Sequence, residues 1–449
     1  MSATAEIVIC GAGIAGIAAA YELVVGRGQR GVVLVDERPP LSLTSDKSTE
    51  AYRNWWPGPD DAMVQLMNHS IDRLEALARD SGNIFRLNRR GYVYATADPA
   101  RVPAFRRAAE MAESQGAGPL RVDDYAPHHP EGFDDPLTGA DLLLDPALIR
   151  RHFPYLSEST AAVIHARRAG WFSSTEFGTY LLERARAAGL ILFSARVTGV
   201  DAPGGRLQAV QLDNGQSIGC GAFVNAAGPL ALDVGRLLGL ELPLFAERHQ
   251  KLAFHDHLGV LPREAPMLIW ADAQRLDWSD EEREVLAEDE ATRLFADDMP
   301  AGAHLRPEGG GGSDSVLMVW AYDAHPVPIV FPLEFEPLFA EVVLRGLSRM
   351  LPGLAHYIGH APRPSIDGGY YVKTRENRLL AGPLPIEGAY VIAGLSGYGL
   401  MAACAAAGLL ADHITGAPLP PYAAAFSPER YNQPAYMTQL EKWDDSGQL

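Results

Sequence analysis

Apolar and polar positions follow a strand, turn, helix, strand order at the start of the chain, between Glu6 and Arg38. A β-branched run, Ile7 to Ile9, leads into a glycine-rich turn and an alanine-rich segment. A second apolar run, Val32 to Val35, then ends at Asp36. A β–α–β order with glycines at its first turn is typical of a dinucleotide-binding unit.

The glycine spacing gives each residue of this turn a physical task. Gly11 permits the tight turn from strand to helix, Gly13 lets the backbone approach a pyrophosphate, and Gly16 lets the helix lie close to the sheet. The N–H groups at the helix N-terminus favour phosphate. Asp36, twenty residues after Gly16, stands where a carboxylate can accept hydrogen bonds from ribose hydroxyls. A glycine triplet alone also fits a purely structural turn.

The same strand, turn and small-residue helix order returns near the end of the chain, at 389–415. A helix, a strand from Leu190 to Val197, a hairpin and the strand in AFVNAAGPLA lie between the two ends. Two stretches rich in Pro, His and Trp lack this rhythm. We therefore predict an α/β fold, α+β overall, with a Rossmann-like nucleotide-binding domain and an inserted domain built on a mixed or antiparallel sheet. The predicted ranges are 1–88, 150–243 and 361–449 for the first domain, and 89–149 and 244–360 for the second.

Composition limits the class of partner and the compartment. The chain has 449 residues, 47% of them apolar, which is enough for a large core. Its net charge of −18 argues against nucleic acid as a partner. Cys10, Cys220 and Cys404 are too few for a disulfide framework and are expected to be packing residues. The first strand begins near residue 5, which leaves no space for a secretory leader, and we expect a cytoplasmic protein.

The uncharged run from Gly388 to Ala411 is long enough to suggest a membrane span. Glycines at 394, 397 and 399 interrupt it. The run therefore predicts a strand, a turn and an alanine-rich helix, with no membrane span.

Four separated blocks agree with one known family. They are GAGIAG with LVDER, the loop SDKSTEAYRNWW, the segment VNAAGP, and GYYVKTRENRLLAGP with VIAGLSGYG. The sequence resembles the D-amino acid oxidase superfamily of flavoproteins, in particular its sarcosine oxidase and glycine oxidase branch. The resemblance implies FAD as cofactor and oxidation of a C–N bond in a small amine.

The resemblance also implies how FAD is held. The turn before the last helix points N–H groups at the pyrimidine end of the flavin in that family. Sarcosine oxidase attaches its flavin through a cysteine at the position that is Gly369 here, so we expect noncovalent FAD. The predicted FAD-binding residues are Gly11, Gly13, Ile14, Ala15, Gly16, Asp36, Glu37, Arg38, Ser45, Lys47, Ser48, Thr49, Val197, Ala227, Gly228, Gly397, Tyr398, Gly399, Leu400 and Met401.

Substrate recognition is predicted from the same blocks. Arg53 matches the arginine that binds the substrate carboxylate in sarcosine oxidase, and a guanidinium suits a carboxylate because its planar fork donates two parallel hydrogen bonds. Tyr371 matches the tyrosine of that motif which reaches the substrate. His249 is a weaker catalytic candidate, since a lone histidine is more often structural. Aromatic side chains are expected to form the pocket walls, although such clusters are also common in cores: Tyr52, Trp55 and Trp56.

Two departures from the family pattern concern lysines. Met401 replaces the lysine that completes the carboxylate clamp, and Met318 is aligned with the lysine that helps the reduced flavin react with oxygen. We therefore expect slow reaction with oxygen.

The sequence thus predicts a flavoenzyme that oxidises an amino acid or N-alkyl amino acid to an imine by hydride transfer to the flavin. Oxygen or another electron acceptor would take the electrons. A flavin dehydrogenase with a non-oxygen acceptor, and a non-catalytic flavin-binding protein, remain alternatives. No metal is expected, because the histidines of APHHPEG and FHDH lack companion ligands at suitable spacing. No hydrolase motif is present.

Overall fold

The first helix, α1 (Ile14–Tyr21), has small residues because it is buried on almost all sides. It packs against the later helices α5 (Ser174–Ala187) and α9 (Gly399–Thr415) and against the strand β2 (Val32–Asp36). Alanine and glycine permit this close approach of backbones. The computed structural model describes residues 2–126, 132–310 and 312–443.

The nucleotide unit is built on the first of two large sheets. Within the described residues this sheet has eight strands, with the order β10-β11-β12-β1-β2-β9 and with β21 and β20 continuing beside β12. Strands β12, β1, β2 and β9 run parallel, so their carboxyl ends meet at one edge. The strands are β1 (Ser2–Cys10), β2 (Val32–Asp36), β9 (Ile191–Ser194), β10 (Val197–Asp201), β11 (Ala209–Leu212), β12 (Ser217–Asn225), β20 (Leu380–Pro383) and β21 (Ala389–Ala393).

The second large sheet has nine strands within the described ranges, in the order β19-β13-β18-β17-β14-β4-β7-β6-β5. Most of its neighbours are antiparallel, with parallel pairing at β14–β4 and β5–β6, so the sheet is mixed. Its strands are β4 (Tyr92–Thr96), β5 (Leu120–Val122), β6 (Ala140–Leu143), β7 (Ala162–Ala166), β13 (Phe245–His255), β14 (Met267–Trp270), β17 (His304–Pro307), β18 (Ser315–Val319) and β19 (Ser365–Lys373).

In the part of the chain that the structure describes, two short sheets and further α-helices accompany the large sheets. Strand β3 (Ala51–Arg53) pairs with β8 (Ala169–Trp171), and β15 (Gln274–Arg275) pairs with β16 (Asp298–Met299). The other helices are α2 (Ala62–Ser81), α3 (Val102–Ala112), α4 (Pro146–His152), α6 (Ala231–Leu237), α7 (Asp280–Glu288), α8 (Phe339–Ser348) and α10 (Pro434–Glu441).

The α/β fold with a Rossmann-like unit and a second, mixed sheet is confirmed. One strand predicted from Leu190 to Val197 is two strands, β9 and β10, which pair with different neighbours. Strands β7 and β19 belong to the second sheet, although they lie in ranges assigned to the nucleotide-binding domain. The proposed domain limits therefore remain a prediction.

The predicted strand, turn and helix near the chain end are present as β21, a short turn and α9. The segment Ser396–Thr415 is long and apolar enough to cross a membrane by length and composition. Two thirds of its most apolar window, 67%, is buried inside the protein, against α1 and α2 among other elements. This burial fits a core helix, whose apolar residues pack against protein.

Candidate active site

A cavity opens at the carboxyl edge of the first sheet. The turns after β1, β12 and β21 and the end of β2 supply its walls, which is the edge where open parallel sheets bind ligands. We call it the first cavity. Predicted cofactor-binding residues that line it are Gly11, Gly13, Ile14, Ala15, Asp36, Ser45, Ser48, Ala227, Gly228, Gly397, Gly399 and Leu400.

Two glycines of the first turn cannot be replaced without moving the backbone. Gly11 has φ +110°, and a Cβ there would lie 2.4 Å from the carbonyl oxygen of Ala226. A Cβ on Gly16 would lie 1.8 Å from the carbonyl oxygen of Gly11. Gly16 does not line the cavity but allows α1 to approach the turn, as its sequence position predicts.

Asp36 links the end of β2 to the turn after β1. Its carboxylate accepts a hydrogen bond from the backbone N–H of Ala12 at 2.7 Å and one from the N–H of Arg38 at 2.9 Å. The Ser45 hydroxyl accepts from the N–H of Ile14 at 2.9 Å, at the N-terminus of α1. The first cavity therefore has a carboxylate at one side and a helix N-terminus at another, the polar groups that bind ribose and phosphate.

The opposite wall comes from the turn before α9. Gly397 and Gly399 line the first cavity, and α9 begins at Gly399, so its free N–H groups face this region. The Tyr398 side chain is buried, and its hydroxyl donates to the carbonyl of Asn377 at 3.0 Å. Its ring packs edge-on against Trp56, with ring centroids 5.4 Å apart. These contacts fix the turn between the two glycines.

A second cavity adjoins the first and shares Ser48, Tyr371 and Gly397 with it. Its polar lining consists mainly of hydrogen-bond donors and aromatic hydroxyls. Among the described residues no Asp or Glu lines it. Its lining residues include Thr49, Arg53, Tyr92, His249, Gly302, His304, Val319, Lys373, Tyr398 and Met401.

Arg53 lies at the end of β3, where pairing with Ala169 of β8 holds its backbone. Its side chain is 6% exposed. The guanidinium lies over the Trp56 ring at 4.2 Å and near the Tyr92 ring at 5.5 Å, and its Nε donates to the carbonyl of Trp55 at 3.1 Å. Of the aromatic residues predicted to form the pocket walls, neither Tyr52 nor Trp55 nor Trp56 lines the first or second cavity. Stacking on Trp56 instead fixes the arginine, which keeps a cation at the second cavity.

Strands β13 and β19 bring a second group of polar residues together. Glu247 pairs with Tyr371 in the antiparallel register, so both side chains lie on the same face of the sheet. The Glu247 carboxylate accepts from Lys373 Nζ at 2.7 Å and from His249 Nε2 at 3.0 Å. These bonds hold the pKa of Glu247 below its ordinary value despite burial. Burial raises the pKa of Tyr371, which therefore stays a neutral phenol.

His304 is a residue of the second cavity that the sequence analysis did not find. It begins β17, is 8% exposed, and its Nδ1 lies 2.7 Å from the carbonyl oxygen of Gly302. Burial, with contributions from the charges of Arg53 and His249, lowers its pKa to about 4. A neutral imidazole is therefore present at ordinary pH. No local sequence signal marks it, since it is a single histidine in a Gly- and Pro-containing stretch.

Two cations from the second sheet, Arg306 and Lys251, hold the loop between β2 and β3. Arg306 is 1% exposed, donates from Nε to the carbonyl of Thr49 at 2.6 Å, and pairs with Glu50 at 3.2 Å. Lys251 donates to the carbonyl of Asp46. These bonds couple the second sheet to the loop that lines both cavities.

Several predicted site residues lie elsewhere. Lys47 pairs with Asp367 at 2.8 Å and, with Arg38, lines a separate surface cleft. Glu37 is near Arg38 at the surface. Val197 lies in the core of the first sheet. None of these four side chains lines the first or second cavity.

Met318 requires a correction. It is fully buried in the core of the second sheet, on the same face as Leu252 and Leu305, its ladder partners. Its neighbour Val319 lines the second cavity instead, because successive strand residues point to opposite faces. Met401, by contrast, does line that cavity.

Gly369 lies against the loop between β2 and β3, outside both cavities. A Cβ there would lie 3.1 Å from Cβ and Cγ of Lys47 and 3.4 Å from Cα of Thr44. The position has little room for a side chain.

Within the described ranges, no three His, Cys, Asp or Glu side chains come together as metal ligands would. His128 and His129 of APHHPEG lie outside those ranges. The three cysteines are free thiols, and burial raises the pKa of Cys10 and of Cys404 to about 12 in each case.

Comparison with known proteins agrees with this geometry. Residues 6–413 match the family described as DAO, FAD dependent oxidoreductase. Human mitochondrial dimethylglycine dehydrogenase is 25% identical over 268 residues, which are 59% of this chain and 28% of that protein. The chain thus matches little more than a quarter of the length of this relative.

Solved structures share the fold at low identity. L-proline dehydrogenase from P. horikoshii superposes with a TM-score of 0.74 at 21% identity, covering 96% of this chain and 99% of that one. Glycine oxidase from Geobacillus kaustophilus superposes with a TM-score of 0.72 at 16% identity, covering 94% of this chain and 97% of that one. Iminodiacetate oxidase from Chelativorans sp. BNC1 superposes with a TM-score of 0.70 at 19% identity, covering 94% of this chain and 99% of that one.

Proposed function

The chain belongs to the DAO family of FAD-dependent oxidoreductases, and from this premise we propose that it oxidises the C–N bond of an amino acid or N-alkyl amino acid to an imine. The first cavity would hold FAD. Its restricted turn at Gly11, the Asp36 carboxylate and the two helix N-termini fit the ribose, phosphate and ring ends of that cofactor. FAD, when bound, accepts the hydride equivalent from the carbon next to nitrogen.

The observation that carries this proposal is Arg53 in the second cavity. It is a buried guanidinium, stacked on Trp56, in a space that adjoins the first cavity. A carboxylate bound there gains a charge-assisted, bidentate interaction in a dry environment. The carboxylate would fix the substrate so that its amine-bearing carbon lies toward the residues that the two cavities share, Ser48, Tyr371 and Gly397.

The relatives support the same substrate class. Dimethylglycine, proline, glycine and iminodiacetate, which appear in the names of related proteins, are all amines that carry a carboxylate. In this chain Tyr371, a neutral phenol, would donate a second hydrogen bond to the substrate without adding charge. The Arg53 side chain, stacked on the Trp56 ring, would exclude water from one side of the cavity.

The electron acceptor forms a separate part of the proposal. Val319 and Met401 are uncharged residues of the second cavity, Lys373 is paired with Glu247, and the charge of Arg53 would be paired with the substrate carboxylate. Because fixed positive charge assists electron transfer to oxygen by stabilising the developing anion, this lining favours a dehydrogenase with another acceptor as the second candidate function.

An anaerobic screen tests the proposal. The FAD-loaded protein is mixed with a panel of amines without oxygen, and loss of the visible flavin absorbance is recorded. We expect carboxylate-bearing amines to bleach the cofactor and the matched amines without a carboxylate to fail. No bleaching by any member of the panel would identify a non-catalytic flavin-binding protein. Bleaching only by amines without a carboxylate would contradict the role of Arg53.

A further inference from the structure

His304 lines the second cavity, and one of its two ring nitrogens, Nδ1, is hydrogen-bonded to the backbone of Gly302. The carbonyl of Gly302 can only accept a hydrogen bond, so His304 Nδ1 must carry the proton and donate it across the 2.7 Å contact. In the neutral ring Nε2 then carries a lone pair. The tautomer is thus determined by a backbone contact within the protein.

The remaining polar lining of the second cavity consists of cations and neutral groups. Arg53 and Lys373 can only donate, and Tyr92 and Tyr371 are neutral phenols because burial raises the pKa of both. Among the described residues, no carboxylate lines this cavity to hold an ammonium group. An ammonium would also lie near the Arg53 cation. The cavity therefore favours a substrate whose amine is neutral.

From this geometry we propose that His304 Nε2 accepts a hydrogen bond from the N–H of a neutral substrate amine whose carboxylate is bound by Arg53, so that the enzyme selects primary and secondary amino acids over tertiary ones. This inference rests on the proposed function. A tertiary amine in its neutral form has no N–H to donate, and it would leave the buried acceptor unpaired, which is costly.

The pKa values of His304 and of the substrate amine indicate that His304 accepts a hydrogen bond and does not remove a proton from the amine. The pKa of His304 is about 4, whereas the α-amino group at a chain terminus already has a pKa near 8, and the ammonium of a free amino acid is more basic still because its own carboxylate is charged. A gap of at least about four pH units means that the imidazole would take the proton from an ammonium at most about once in ten thousand times. His304 therefore orients the nitrogen lone pair, which must be free when the carbon loses its hydride.

His249 is the rival acceptor in the same cavity. Its Nε2–H donates to Glu247 at 3.0 Å, which leaves the lone pair on Nδ1, and its ring is stacked on Tyr371. The charge of Arg53 contributes to lowering the pKa of His304, whereas the charged groups that affect the pKa of His249 are Glu247 and Lys373. In an α-amino acid the amine and the carboxylate are attached to the same carbon, so an amine whose carboxylate is bound by Arg53 lies close to Arg53. His304, the imidazole on which the charge of Arg53 acts, is therefore the better placed acceptor.

A matched pair of heterocycles tests the hydrogen bond without turnover. Pyrrole-2-carboxylate donates an N–H beside its carboxylate, and furan-2-carboxylate has an oxygen at the same position. Calorimetric titration of the FAD-loaded protein should give an affinity about tenfold higher for the pyrrole. His304→Leu should reduce this preference to less than about twofold, while His249→Leu and the exposed control His360→Leu should retain it.

Equal affinities in the wild type, or failure of both compounds to bind, would overturn the inference. So would loss of the preference in His249→Leu together with its retention in His304→Leu. FAD content and the thermal midpoint of each variant are measured alongside, because a folding defect lowers both affinities without changing their ratio.

The substrate arm compares anaerobic reduction by N-methylglycine and by N,N-dimethylglycine. We expect at least tenfold faster reduction by the secondary amine at equal concentration, and a smaller ratio in His304→Leu. Equal rates with both amines would overturn the selection of N–H-bearing substrates. A pyrrole preference without reduction by any amine would instead uphold the hydrogen bond and contradict the proposed function.

Discussion

The imidazole of His249 stacks on the phenol ring of Tyr371, with ring centroids 4.0 Å apart and planes 14° from parallel. Both residues lie on one face of the β13–β19 pair, next to the cavity that Arg53 lines. The stack fixes the ring of Tyr371, so its hydroxyl has a defined position for a substrate. A role as substrate donor and a role as packing residue can therefore be separated by the two substitutions that follow.

Tyr371→Phe retains the ring and removes only the hydroxyl. We expect kcat/KM for a carboxylate-bearing amine to fall by about tenfold, the value of one hydrogen bond of about 1.4 kcal/mol, with FAD binding unchanged. Tyr371→Leu also removes the stacking with His249, so kcat/KM should fall further in this variant. Steady-state kinetics of both variants give the comparison. If Tyr371→Phe equals the wild type while Tyr371→Leu is impaired, Tyr371 acts through packing alone.

Arg53→Ala should weaken kcat/KM by roughly 2 to 5 kcal/mol, because a buried charge pair with the substrate carboxylate is lost. Arg53→Lys should recover only part of this, since an ammonium cannot reproduce the planar fork or its stacking on Trp56. Arg206→Ala, at an arginine whose side chain is 73% exposed, is the control and should match the wild type. Full activity of Arg53→Ala on a carboxylate substrate would remove Arg53 from the site.

FAD should be bound tightly but noncovalently. Gly369 carries no side chain to form a link, and a Cβ there would already be 3.1 Å from Lys47. Acid precipitation of the purified protein should therefore release yellow FAD into the supernatant, identified by its absorbance and mass. Yellow colour that remains in the washed precipitate would reveal a covalent link at another residue.

Without the family resemblance, the part of the site that the sequence predicts is the part with a local signature. Gly11, Gly13 and Asp36 lie within one β–α–β unit, so short-range spacing places them at the first cavity. The second cavity is different, because β3, β13, β17 and β19 bring its residues together from distant parts of the chain. His304 and Arg53 are 251 positions apart. No local pattern could predict their proximity.

Met318 illustrates a second limit. Every residue from Val316 to Val319 is buried, so the strand lacks the polar and apolar alternation that tells one face from the other. A family alignment then places a residue on a strand but does not determine its face. A shift by one residue moves the side chain from the cavity to the core.

Stability should depend on pH through His304. Burial lowers its pKa from 6.5 to about 4, with the charges of Arg53 and His249 adding to the effect and the carbonyl of Gly302 opposing it. Between these pH values the unfolded chain holds the proton and the folded protein does not, so the free energy of unfolding rises with pH across this window, by on the order of 3 kcal/mol. His304→Gln lacks this titration. Its thermal midpoint should fall less than that of the wild type or of His360→Gln between pH 6.5 and pH 4.5, and parallel curves would contradict the effect.

The reduced flavin should react slowly with oxygen. Because Val319 lines the second cavity and Met318 does not, Val319→Lys is the substitution that tests this. Met318→Lys would bury an ammonium in the core beside Leu252 and should destabilise the protein by several kcal/mol without faster reoxidation. Val319→Lys, one residue further on, would place the cation at the second cavity. It should speed reoxidation of the reduced protein by about tenfold for each 1.4 kcal/mol of added stabilisation. Stopped-flow mixing with oxygen measures this rate, and an artificial acceptor should raise turnover of the wild type. Rapid reoxidation of the wild type would instead mean that a cation already present assists the reaction with oxygen. Lys251→Met and Lys373→Met would then identify this cation, because loss of the responsible lysine should slow reoxidation.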